Sequence, residues 1–162
     1  MKKILLISLL LGCAFAHQGI FQSVPEKDAV ILQKGKDKGD CPICGMHLPM
    51  FYKTSHAVKF KDGRYKQYCS LHCVVDEMLF GELKDNEEKI DQILAVDAKT
   101  IKLIDAKKAF YVVGSKKPGT MSIVSKYAFK NRLDAQEFQK ENGGEILNFE
   151  EAYKITLKEF GQ

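Results

Sequence analysis

Long apolar runs are what this sequence most plainly lacks. Its only extended apolar stretch, Ile4 to Leu11, falls well short of the roughly 18–20 residues a membrane-spanning helix needs, and no later stretch reaches that length. Catalytic signatures are absent too. There is no Gly-x-Ser-x-Gly elbow, no His-Glu-x-x-His and no phosphate loop, so a conventional hydrolase is not indicated and the chain reads as a non-enzyme. Net charge is small: the formal value is +4, and discounting Lys2 and Lys3 leaves +2, which gives no reason to invoke nucleic acid or an acidic surface. What remains is an ordinary globular composition, 45% hydrophobic and 28% charged. The 162 residues fit one domain or two small halves. Halves of that size bury a modest share of their surface and benefit from a metal staple or close docking.

The N-terminus follows the order of a secretory leader: Lys2-Lys3, the apolar stretch, then Gly12-Cys13-Ala14-Phe15-Ala16. The expectation is an exported, periplasmic chain. Two processing routes compete. Ala14-Phe15-Ala16 suits cleavage before His17, which makes residues 1–16 a signal peptide, whereas Leu10-Leu11-Gly12-Cys13 resembles a bacterial lipobox, which makes Cys13 a lipidated membrane anchor.

Past the leader stand Cys41, Cys44, Cys69 and Cys73, an even set in an oxidising compartment. One or two structural disulfides is one reading; metal ligation is the other. Residues 17–39 read as a tether, with a turn at Pro25-Glu26-Lys27-Asp28 and a short strand over Ala29 to Leu32. Residues 40–96 read as a Cys-rich half. Ser55 to Phe60 and Arg64 to Cys69 form a hairpin about Asp62-Gly63, and a helix follows, capped by Ser70 and closed by Gly81. A short helix is expected within Glu82 to Asp97, turning Ile90, Ile93 and Leu94 inward.

Residues 97–162 repeat the theme. Strands are expected over Thr100 to Ile104, Ala109 to Val113 and Met121 to Phe129. Asn131 with Asp134 suggests a capping box on a helix ending at Asn142-Gly143-Gly144; Glu145 to Leu147 is a closing strand, and Asn148 with Glu151 opens a last helix. The fold class is therefore α+β, two ββα-type halves resembling a diverged duplication, with Tyr68-Cys69-Ser70 matched to Tyr127-Ala128-Phe129.

Cys41-x₂-Cys44 is a treble-clef-like knuckle, its turn eased by Gly45, and Cys69-x₃-Cys73 supplies a second pair able to complete a tetrahedral S₄ site, as in structural zinc modules. Cys73, in the first helical turn, sits where backbone N–H groups and the helix dipole favour thiolate. Met46, beside the knuckle, and Met121, after the Lys116-Lys117-Pro118-Gly119 loop, are not needed for such a cage. Thioethers bind Cu(I) and largely ignore zinc, so a mixed Cys/Met site selects the softer ion and its low coordination permits release. His47, Met50 and His56 are weaker candidates, since a lone histidine on a strand is more often a satisfied core or surface residue. A dithiol oxidoreductase built on Cys41 and Cys44 lacks the expected βαβ context.

Cys41-Pro42-Ile43-Cys44-Gly45-Met46, Tyr111-Val112-Val113-Gly114-Ser115, Met121, the strand to Phe129 and the Asn142-Gly143-Gly144 helix end together resemble the NosL family, over about residues 28–155. Those are exported, commonly lipid-anchored accessory proteins of nitrous oxide reductase assembly that bind Cu(I). The resemblance implies two packed ββα halves and ligands at Cys44, Met46 and Met121, with Cys41. It also implies copper delivery for maturation of nitrous oxide reductase or another cuproenzyme, that enzyme or its membrane-bound maturation complex being the partner. Gly63-Arg64-Tyr65 with Tyr68-Cys69-Ser70-x₂-Cys73 resembles YHS- and TRASH-type metal-trafficking modules instead, so Cys69 and Cys73 rest on spacing alone. The alternative is a metal-trafficking or interaction module with a structural Cys₄ zinc site.

Overall fold

The computed structural model describes residues 20–162, so the expected leader, with Cys13 and the Ala16 cleavage point, lies outside the described residues. No described helix is long and apolar enough to cross a membrane.

Alternation drives the first hairpin. His56–Phe60 (β1) and Tyr65–Tyr68 (β2) pair antiparallel, His56 opposite Tyr68, and bury Val58 and Phe60 in the core. Helix α1, Leu71–Phe80, starts directly after β2 because the Ser70 side chain accepts the Cys73 N–H and the apolar face Leu71, Val74, Val75 is buried. The chain returns as β3, Ile90–Val96, on the other edge of β1, and β4, Leu103–Asp105, adds to it, giving the order β2-β1-β3-β4.

The second half comprises β5 (Phe110–Val113), β6 (Lys126–Phe129), α2 (Arg132–Asn142), β7 (Glu145–Leu147) and α3 (Phe149–Glu159). Its sheet order is β6-β5-β7. In both sheets the first strand lies between its hairpin partner and the strand after the helix, and in the first sheet β4 adds a further edge beyond β3. The α+β expectation of two ββα halves is met, each half extended by a third strand and the first sheet by a fourth. Superposing the helix N-caps, Ser70 on Asn131, sets Cys69 opposite Lys130 and Cys73 opposite Asp134. The match of Tyr68-Cys69-Ser70 to Tyr127-Ala128-Phe129 is thus displaced by two residues.

Several local expectations give way to tertiary pairing. Residues 82–97 do not carry the expected helix: Asp85 adopts φ 59°, a single 3₁₀ turn spans Glu87–Lys89, and Ile90, Ile93 and Leu94 lie in β3, because β1 presents an unpaired edge that only an extended segment can fill. The strand expected from Met121 is confined to Lys126–Phe129, since Met121 takes φ 56° and turns the chain. The strand at Thr100 begins only at Leu103, after Ile101 at φ 57°. Asn131 stands at the N-cap of α2 without a side-chain bond to the helix backbone; its amide donates to Asp134 Oδ2 at 3.1 Å instead. At Asn148 the capping box is complete.

The stretch read as a tether carries no strand over Ala29 to Leu32, and its described part is bonded to the body through side chains and backbone. Val30 N–H donates to Tyr52 Oη at 3.0 Å, Leu32 N–H to Gln67 Oε1 at 2.9 Å, and Lys53 N–H to the Gln22 carbonyl at 3.0 Å. The halves share one core in which Val58, Tyr68, Leu71 and Val74 meet Tyr111, Val113 and Phe149.

Candidate metal centre

The knuckle is built by two backbone hydrogen bonds. Gly45 N–H donates to the Cys41 carbonyl and Cys41 N–H to the Met46 carbonyl, both at 2.9 Å, closing the loop so that both thiols face one side. Gly45 holds φ 71°, a left-handed turn that a side chain would strain. Opposite, Cys69 ends the β2 hairpin arm and Cys73 occupies the first turn of α1. The carbonyl of Cys69 accepts the Thr54 hydroxyl at 2.8 Å, fixing the strand end.

These two segments place all four sulfurs within 4.8 Å of one another. Cys44 Sγ lies 3.5 Å from Cys69 Sγ and 3.8 Å from Cys73 Sγ, and Cys69 Sγ lies 3.6 Å from Cys73 Sγ. A tetrahedral S₄ site with metal–sulfur bonds of about 2.3 Å has S···S edges of about 3.8 Å, so the thiols already stand near the corners of a coordination tetrahedron. None of the four is bridged to another. Cys41, Cys69 and Cys73 are buried and Cys44 is half-buried.

Packing thiols this closely makes them share protons. The S–H groups of Cys69 and Cys73 hold the Cys41 thiol far below its ordinary range, while the neighbouring Cys41 sulfur pushes Cys69 and Cys73 upward. One thiolate is readily carried by the cluster; further negative charge calls for a cation at its centre, and binding that cation expels the remaining protons.

The other candidates separate. Met46 is half-buried and packs against the core cluster that includes Cys41, Cys69 and Cys73. Met121 stands outside that core, 41% exposed, on a loop tied to the centre indirectly: neighbouring Thr120 shares a 2.8 Å hydrogen bond with Thr54, the residue that also holds Cys69. Met50 is exposed. His47 has Asp40 at 3.1 Å on one ring nitrogen and Glu26 at 3.2 Å on the other; those carboxylates raise its pKa. His56 is fully buried, donating from Nδ1 to the Thr54 carbonyl at 2.9 Å and accepting Tyr111 Oη on Nε2 at 3.1 Å, and burial pushes its pKa down to about 4. It joins the two sheets as a neutral core residue.

Sequence reading missed the support of the Met121 loop. Buried Lys126 donates to Glu159 Oε1 at 2.7 Å, Ser122 Oγ at 2.9 Å and the Val124 carbonyl at 3.0 Å, and Glu159 also meets His72 Nδ1 at 3.3 Å. This network fastens the loop to α3 and to the first turn of α1. Its only signal was a lysine inside an apolar alternation, with its partner 33 residues away.

The NosL family model matches residues 33–156. A curated relative, the copper-binding lipoprotein NosL of Stutzerimonas stutzeri, is 31% identical over 132 residues. The matched stretch is 76% of this chain and 66%, just under two thirds, of that relative's length. Among solved structures, the copper chaperone NosL from Shewanella denitrificans superposes with a TM-score of 0.54 at 21% identity, covering 74% of this chain and 95% of that one, a likeness of fold. With its model spanning most of the sequence, the chain belongs to the NosL family.

Proposed function

We propose that this protein is an exported Cu(I)-binding metallochaperone that passes copper on for the maturation of nitrous oxide reductase or another cuproenzyme. The observation that carries the reading is the four-sulfur cluster, within 4.8 Å, in a chain whose relatives are named for copper binding and copper chaperoning. Thiolates are soft donors that favour Cu(I) and zinc over hard cations, and Met46 and Met121 are the soft neighbours that favour copper between the two. Cys41, Cys44, Cys69 and Cys73 hold the ion in this reading, and Met121 approaches from its exposed loop. The acceptor is nitrous oxide reductase or its membrane-bound maturation complex. Native mass spectrometry of protein purified anaerobically from the periplasm tests it: one Cu(I) per chain, removable by a competing Cu(I) chelator, is expected. Zinc that no Cu(I) displaces would overturn it.

A second reading is a purely structural Cys₄ zinc site, favoured by the near-tetrahedral S···S edges and by the burial of three of the four thiols. Under it, Met46→Leu with Met121→Leu leaves metal binding unchanged. Under the copper reading the pair weakens Cu(I) affinity and leaves zinc affinity alone.

A further inference from the structure

We propose that the face around Phe21 docks on an anionic phospholipid surface, with Lys53, Lys116 and Lys117 meeting the headgroups and Ile20 and Ile123 entering the interface. The inference goes beyond the metal reading and does not rest on it.

Phe21 meets two ammonium groups, Lys53 Nζ lying 4.5 Å and Lys117 Nζ 4.6 Å from its ring centroid. The ring itself is anchored on Tyr127, edge-on at 5.4 Å, and on Phe138 at 5.9 Å. Two like charges thus share one aromatic ring. Among the described residues Lys53, Lys116 and Lys117 form no ion pair, as is true of most lysines other than Lys59, Lys66, Lys99, Lys108 and Lys126. Burial and the charge of Lys117 press Lys53 towards its neutral form, a cost that a nearby anionic surface relieves.

Three segments are hydrogen-bonded into this one face. Lys53 N–H donates to the Gln22 carbonyl at 3.0 Å, Gln22 Nε2 donates to the Pro118 carbonyl at 2.9 Å, and Tyr127 Oη donates to the same carbonyl at 2.6 Å. The loop running on from Pro118 is clamped by Lys126 and Ser122, yet carries Ile123 fully in water, at 102% exposure, beside half-exposed Met121; Ile20, 45% exposed, stands at the other end. Lysines and exposed apolar side chains carried on hydrogen-bonded segments are the composition of a membrane-interface patch. The chain also reaches this face from its N-terminal stretch: Ile20 is seven residues past Cys13, at most about 25 Å of extended chain.

The test uses the full chain with Cys13→Ala, so that no acyl chain can be attached there, recovered from the periplasm and floated with lipid vesicles. Binding is expected to vesicles containing phosphatidylglycerol, not to phosphatidylcholine alone, and to fall as salt screens the headgroups. Since a lysine near an anionic surface contributes about fivefold in affinity, Lys53→Glu with Lys117→Glu is expected to weaken binding at least about 25-fold. Lys116→Glu, at an exposed side chain, serves if the double variant does not fold, and is expected to cost about fivefold or more. Metal content stays as in the parent, which separates this outcome from any failure of the metal reading. Equal binding to both vesicle types, no binding to either, or unchanged binding by folded variants would overturn the proposal. So would displacement by inorganic phosphate beyond that of chloride at equal ionic strength, which would assign the lysines to a small-anion site.

Discussion

In the proposed reading four cysteine side chains hold the ion, and each is expected to matter more than either methionine. Losing an outer partner of a metal ligand typically costs 10–100-fold in affinity, so Cys69→Ser or Cys73→Ser is expected to weaken metal binding by more than about tenfold, read by chelator competition. Because the thiols must lose protons to bind, affinity is expected to drop as pH falls, and most for the pair whose protons are held up, Cys69 and Cys73. His56 supplies a separate pH signature. Its folded pKa, about 4, lies below the ordinary 6.5 of an unfolded histidine. The unfolded chain therefore binds the extra proton between those values, and stability that is whole above pH ~6.5 is lost as pH falls toward 4, by on the order of 3 kcal/mol. Urea unfolding across that range checks this, and His56→Phe should flatten the slope. At this scale the sequence exposed residue types well. Cys-x₂-Cys beside Cys-x₃-Cys suggested the S₄ geometry, while His56 showed only as a histidine on a strand, since nothing local reveals that Tyr111 will face it.

Elements were legible where local chemistry and packing agree. Ser70 before an apolar face and Asn148 with Glu151 each name a helix start, and both hold. Ser70→Ala is expected to cost about 1 kcal/mol in urea unfolding. It also removes the acceptor of the Cys73 N–H, so metal affinity should fall with it. Where pairing decides, local spacing misleads: Ile90, Ile93 and Leu94 fit one helical turn, but the free edge of β1 draws them into β3. The Met121 loop belongs here too. Its hold on α3 runs through Lys126 and Glu159, so Lys126→Ala, which leaves Glu159 without its buried partner, is expected to destabilise by about 3–5 kcal/mol, and Lys126→Met by less. Thermal unfolding of the two variants compares them directly.

The described residues form two sheets with the same three-strand arrangement, the first extended by β4, around a shared core, with thiols among them in the first half alone. A metal that binds only the folded state adds stability by mass action, about 2.7 kcal/mol at a hundredfold excess over its dissociation constant, so stripping the metal is expected to lower the melting temperature, read by calorimetry with and without chelator. Cys44 gives this coupling a direction. It is the one thiol of the four not fully buried, and it sits on a loop closed by two backbone bonds, while Cys41, Cys69 and Cys73 are enclosed. Under the copper reading, an incoming thiolate or thioether from a partner would reach the ion along the Cys44 edge, where the enclosure is weakest. Exchange there would be sequential and associative, the newcomer attaching before the bond to Cys44 breaks. A centre too enclosed to shed its ion into water would still yield it to a protein that presents the right donor at that one corner.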